Sequence, residues 1–139
     1  GKVCNMRLFR RETLNSLFEE MLEEFIRDTL ARYQPTPSVC PIPERDDLEV
    51  DWQFKPNGTP LYLFGVKDDA RARLATIGCL EFQRNKLPFR SMVVHENFDK
   101  IGPKDKIRLT SACDKQFTSL DDFRQNAEQY LERERETVH

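Results

Sequence analysis

Residues 48–67, Leu48-Glu49-Val50-Asp51-Trp52-Gln53-Phe54-Lys55-Pro56-Asn57-Gly58-Thr59-Pro60-Leu61-Tyr62-Leu63-Phe64-Gly65-Val66-Lys67, decide how this chain folds. In the first half Leu48, Val50, Trp52 and Phe54 alternate with Glu49, Asp51 and Gln53. That two-residue period is the mark of a strand with one apolar and one polar face. Asn57-Gly58 supplies the residue types that accept positive φ, so a tight hairpin turn is expected there. Leu61 to Val66 is apolar almost throughout, which predicts a strand covered on both faces in the centre of a sheet.

Helices flank this hairpin. From about 11 to 33, Leu14, Leu17, Phe18, Met21, Leu22, Phe25 and Ile26 recur at steps of three and four. Glu19, Glu20, Glu23, Glu24 and Asp28 take the other side, so an amphipathic helix docked on the sheet is predicted. The alternative is a helix that offers its stripe to a partner. Residues 34–47 hold half of the 8 prolines and read as an extended connection, with room for one short strand before the hairpin. A helix is predicted over 69–85, with Leu74, Ile77 and Leu80 among its apolar residues, then a strand over 89–94. Gly102-Pro103 suits the start of a helix reaching about Cys113. Phe117 ends a brief strand or loop, and Ser119 with Asp122 resembles a capping box before a last helix. Its end, 132–136, is charged on all sides and is expected to fray. The fold class is α/β, a small mixed sheet flanked by helices.

Composition bounds the function. The 139 residues suit one domain over 1–139, and the start at Gly1 is what a segment cut from a longer protein shows. With 22 basic and 24 acidic side chains the net charge is −2, which excludes a strongly basic nucleic-acid glove. No apolar run approaches the ~18 residues of a spanning helix, so no membrane partner is expected. The four cysteines, Cys4, Cys40, Cys79 and Cys113, lie more than 30 residues apart, which argues against a zinc site. Reduced thiols in a cytoplasm are the plain reading.

The chemistry-bearing residues are Asp51 on the first strand and Lys67 at the end of the second, which the hairpin sets side by side. An acid and a lysine so placed resemble the PD-(D/E)XK, restriction-endonuclease-like superfamily. The resemblance covers roughly residues 11–95, and it implies an α-β-β-β-α-β core. It also implies an aspartate on one central strand, with a carboxylate, one spacer and a lysine on the next. Two carboxylates there hold a divalent cation and the lysine positions the attacking water. Asp51 matches the aspartate and Lys67 the lysine. Gly65 stands where the second carboxylate belongs, so the ordinary metal site is incomplete. The chain is similar, too, to bacterial domains to which no activity is attached.

Some members of the superfamily move that carboxylate onto the following helix. Glu81, 14 residues beyond Lys67, is the residue here that would take the role. It shares a face with Leu74 and nearly with Ile77, expected to point at the sheet. A helix starting at Asp69 would carry it about 18 Å away, so the rescue needs a loop through 68–71. Each residue also has an ordinary reading. Asp51 serves as the polar face of a strand, Lys67 as a solvated strand end, and Glu81 as a residue at the core's edge paired with an arginine. Asp68 and Asp69 read as helix caps. His95 beside Glu96 reads as a general base or, more simply, a surface or edge histidine.

From Arg84 to Arg108 the chain carries a charge of +4, while Glu12 to Asp28 carries −5. Lys104, Lys106 and Arg108 are the candidates for phosphate contact, and solvated loops explain the same charge. The leading expectation is a nuclease-like domain with a degraded metal site that binds nucleic acid, a protein partner or a linked neighbouring domain. No cofactor is expected of it. The alternatives are an active Mg²⁺-dependent nuclease using Asp51, Glu81 and Lys67, and an interaction or regulatory domain unrelated to nucleases.

Overall fold

A computed structural model describes residues 2–3 and 16–136. Six strands form one sheet in chain order: β1 (Lys2–Val3), β2 (Thr36–Cys40), β3 (Val50–Phe54), β4 (Leu61–Val66), β5 (Arg90–His95) and β6 (Lys115–Phe117). The first four pair antiparallel, and β4, β5 and β6 run parallel. The helices are α1 (Leu17–Thr29), α2 (Asp69–Arg84), α3 (Pro103–Ala112) and α4 (Leu120–Glu136). This is the mixed α/β architecture the sequence predicts. A parallel pair needs a crossover, and α2 and α3 supply the two between β4, β5 and β6.

Helices cover both faces of the sheet. On one face α1 and α4 pack against Trp52, Phe54, Leu61, Leu63, Met92, Val94 and Phe117. On the other α2 and α3 pack against Val50, Tyr62, Phe64, Val66 and Val93. β4 feeds both cores by simple alternation, which is why its sequence is apolar throughout. Within α1 the buried residues are Phe18, Leu22 and Ile26, one residue per turn on one face. Leu17 falls off that face and is exposed. The predicted start of this helix at 11, with Leu14, lies outside the described residues.

Several expectations are corrected. The hairpin turn is a six-residue loop, 55–60, in which only Gly58 has positive φ, +94°. Asn57 instead folds its side chain back: Oδ1 accepts from the Thr59 N–H at 3.0 Å, and Nδ2 donates to the Glu134 carbonyl at 2.6 Å. The short strand for which the proline-rich connection leaves room is present, as β2. Pro37 is tolerated there because, among the described residues, β1 pairs only with Val39 and Cys40 and none pairs with Pro37 on that side of β2. The end of α4 is anchored, since Glu134 is buried and pairs with Arg90 at 3.0 Å. Cys79 and Cys113 are free thiols, as expected, but Cys40 is disulfide-bonded.

The largest correction concerns α2. Leu74, Ile77 and Leu80 are 43%, 46% and 52% exposed and face outward. The sheet side of α2 consists of Ala72, Ala75, Thr76, Gly78, Cys79 and Phe82. Small side chains let the helix backbone approach the strands closely, and Phe82 closes the end of the layer against Tyr62 and Phe89.

Candidate functional site

β3 begins and β4 ends at the same end of the sheet, and this sets Asp51 against Gly65, two residues before Lys67. Asp51 is 8% exposed, and its Oδ2 accepts the Gly65 N–H at 2.8 Å. Its burial overturns the reading of Asp51 as a solvated polar face: with helices on both sides, β3 has no solvent face, and all five of its residues are buried. A local slip aims the carboxylate. Val50 packs in the core beside α2, whereas Trp52, two residues on, packs in the core beside α1. Regular alternation would put both on one side, so the pleat turns over at Asp51. Across the β2 ladder the matching position is Ser38, which has φ +54° and a buried hydroxyl.

Gly65 carries the decisive geometry. A Cβ on it would point toward α1, 3.8 Å from Asp51 Oδ2, 3.5 Å from Phe18 and only 3.2 Å from Leu22 Cδ2. The space beside Asp51 is therefore filled by hydrocarbon from α1, and a longer side chain at 65 has to displace it.

Lys67 does not point into open solvent as a plain strand end would. Its Nζ lies 3.3 Å from Glu19 Oε1, and Arg71 Nη2 lies 3.3 Å from Glu19 Oε2. Glu19 is also the third helical residue of a capping box. Ser16 Oγ accepts the Glu19 N–H at 3.2 Å, while Glu19 Oε1 accepts from Ser16 N–H at 3.1 Å. One carboxylate thus ties the start of α1 to the end of β4 and the first turn of α2. Burial alone would raise the Glu19 pKa; the Ser16 N–H bond and the Lys67 ammonium outweigh it and hold the group below its ordinary value.

Glu19 and Arg71 are the site residues that sequence reasoning missed. Glu19 reads as one of several acids on a solvated helix face. The spacing Ser16-x-x-Glu19 is the signal that singles it out, because a capping-box glutamate is turned back toward its own helix start.

Glu81 is not brought to this cluster. α2 starts at Asp69 directly after its N-cap Asp68, whose Oδ1 accepts the Arg71 N–H at 2.9 Å. The loop needed to fold the helix back is absent, and Glu81 lies about 18 Å along the axis from the helix start. Its carboxylate pairs with Arg45 at 3.7 Å and Arg84 at 3.6 Å. Asp69 does not cap α2, of which it is the first residue; its Oδ1 accepts the Gly102 N–H at 2.9 Å and so ties α2 to the start of α3. A two-carboxylate Mg²⁺ centre needs a second oxygen ligand beside Asp51, and the described residues do not fit one. Gly65 has none to give, Glu19 is committed to four donors, and among the described residues no three His, Cys, Asp or Glu side chains are grouped to hold a metal.

The basic candidates lie on α3. Lys104 and Arg108, four apart, share an exposed face, while Lys106 turns away and sets its Nζ 4.6 Å from the centre of the Phe98 ring. His95 is fully buried, not a surface residue. Its Nε2 meets Gln116 Oε1 at 2.8 Å and its ring stands edge-on to Phe98. Burial pushes the imidazole below the usual histidine range; Lys106 acts in the same direction and the Gln116 bond opposes it. Compared with known protein families, with curated proteins and with solved structures, the chain gives no match.

Proposed function

We propose that this chain is a restriction-endonuclease-like domain that has lost its metal site and binds nucleic acid without cutting it. One observation carries the reading. Asp51 accepts the Gly65 N–H across the β3–β4 pair, Lys67 follows two residues later, and at Gly65, where the family's second carboxylate belongs, Phe18 and Leu22 occupy the room beside it. The element order supports the same ancestry: α1, then β2, β3 and β4 antiparallel, then α2 and a parallel β5. No helix of the described residues is long and apolar enough to cross a membrane. A cytoplasmic setting, bacterial in origin, belongs to this proposal; the free thiols of Cys79 and Cys113 agree with it, and the disulfide at Cys40 speaks for an oxidising compartment.

Binding is tested by fluorescence polarisation with single- and double-stranded DNA and RNA across a salt series. We expect weak affinity that falls steeply with salt, as counterion release demands. Lys104→Ala and Arg108→Ala should each lower the salt slope by about 1, and Lys106→Ala, already engaged with Phe98, by less. Salt-independent or absent binding would leave a protein partner as the occupant instead.

A further inference from the structure

A second polar site lies at the opposite end of β3 from Asp51. The turn that follows α1, the residues just after Phe54 and the last turns of α4 enclose a cavity of about 190 Å³. Its walls are Arg32, Tyr33, Lys55, Pro56, Glu132 and Arg135. Three cations therefore face a single carboxylate.

The internal bonding leaves positive charge over. Glu132 accepts from the Tyr33 hydroxyl, from Arg32 Nη2 at 2.9 Å and from Arg135 at 3.2 Å. Arg32 Nη2 also donates to the Tyr33 oxygen at 2.7 Å, and Glu128 stands 3.9 Å from it at the rim. The Tyr33 bond, aided by both arginines, holds Glu132 below the ordinary carboxylate range, so it stays ionised at neutral pH. The Lys55 ammonium, in contrast, makes no hydrogen bond or ion pair with any described residue. Each guanidinium has five N–H donors, and the bonds to Glu132, Glu128 and Tyr33 use only part of them. A cavity of 190 Å³ is smaller than the roughly 300–1,000 Å³ of pockets that take drug-sized ligands, so a small anion fits and a whole base and sugar do not.

We propose that this cavity binds a phosphate dianion between Lys55, Arg32 and Arg135. Lys55 supplies the free charge, and the two arginines supply planar N–H donors already fixed by Glu132. The phosphate comes either as the free ion or small monoester, or as the terminal phosphate of a nucleic acid. The inference does not depend on the nuclease-like reading, because none of its residues belongs to the Asp51 cluster.

The whole chain is titrated with inorganic phosphate at constant ionic strength, with chloride as the balancing ion, and followed by NMR of backbone amides around 32–33, 55–56 and 132–135. We expect saturable shifts confined to those residues. Lys55→Ala should weaken binding at least fivefold and Arg135→Ala in the same direction, with Arg124→Ala, elsewhere on α4, unchanged. No saturable shift, or equal binding by Lys55→Ala, overturns the proposal; equal losses in Arg124→Ala overturn it as well, since they show only general screening. A short oligonucleotide with and without a 5′-phosphate then separates the sources. Preference for the phosphorylated strand that disappears in Lys55→Ala assigns the cavity to a nucleic-acid end, and indifference assigns it to the free phosphate.

Discussion

Gly65, Glu19 and His95 each show how a single residue's meaning depends on what packs over it. That position 65 is a glycine is visible in the sequence, but the reason a side chain is unwelcome there is not, because Leu22 and Phe18 arrive from a helix some 40 residues away. His95 was legible only as the end of a strand; the third layer that buries it comes from α3 and the turn at Phe98–Lys100. Its burial has a measurable consequence. In the folded protein the imidazole resists protonation, so between pH ~6.5 and the lower folded pKa the unfolded chain binds more protons, and stability falls as pH falls. The stabilisation is complete above pH ~6.5 and is lost progressively as the pH falls from there to the folded pKa. Chemical unfolding at pH 8 and pH 5.5 should show this loss in the wild type and a smaller one in His95→Gln, which keeps a polar group opposite Gln116. Equal pH dependence in both proteins would count against a buried neutral His95.

Among the elements, β3 and β4 are the best predicted, because a two-residue period and an unbroken apolar run are local signals. α2 has the right length, and its faces are reversed. The expectation gave the sheet to the bulky residues Leu74 and Ile77; the protein gives it to alanine, threonine, glycine and cysteine. Counting apolar side chains cannot separate these faces, since close helix–sheet approach rewards small ones. The same error made Glu81 look like a carboxylate aimed at the sheet, when it is an edge residue held by Arg45 and Arg84. Two substitutions check the assignment by urea unfolding. Phe82→Ala should cost about 3–5 kcal/mol as a core truncation, and Ile77→Gln should stay within about 0.5 kcal/mol as a surface change. A large loss from Ile77→Gln would return the outward face of α2 to an interior.

At the scale of the whole molecule, the mixed sheet with helices on both faces follows from the order of elements, because strand-helix-strand units demand parallel neighbours and hairpins demand antiparallel ones. What the order cannot reveal is convergence. Asp51 meets Gly65 because β3 starts where β4 ends, and Glu19 meets Lys67, two residues on, because α1 starts at that same end. The proline-rich β2 is legible only as an optional short strand for a related reason: its strand character comes from pairing with Val50 to Gln53, not from its own propensities. The central claim is that this convergence forms a nuclease-like site short of one metal ligand. Cleavage of DNA and RNA by the purified chain with Mg²⁺ or Mn²⁺, beside Asp51→Ala, Lys67→Ala and Glu81→Gln, tests it most directly. The account predicts that the wild type cuts no more than the three variants do; metal-dependent cutting by the wild type that all three lose would contradict it.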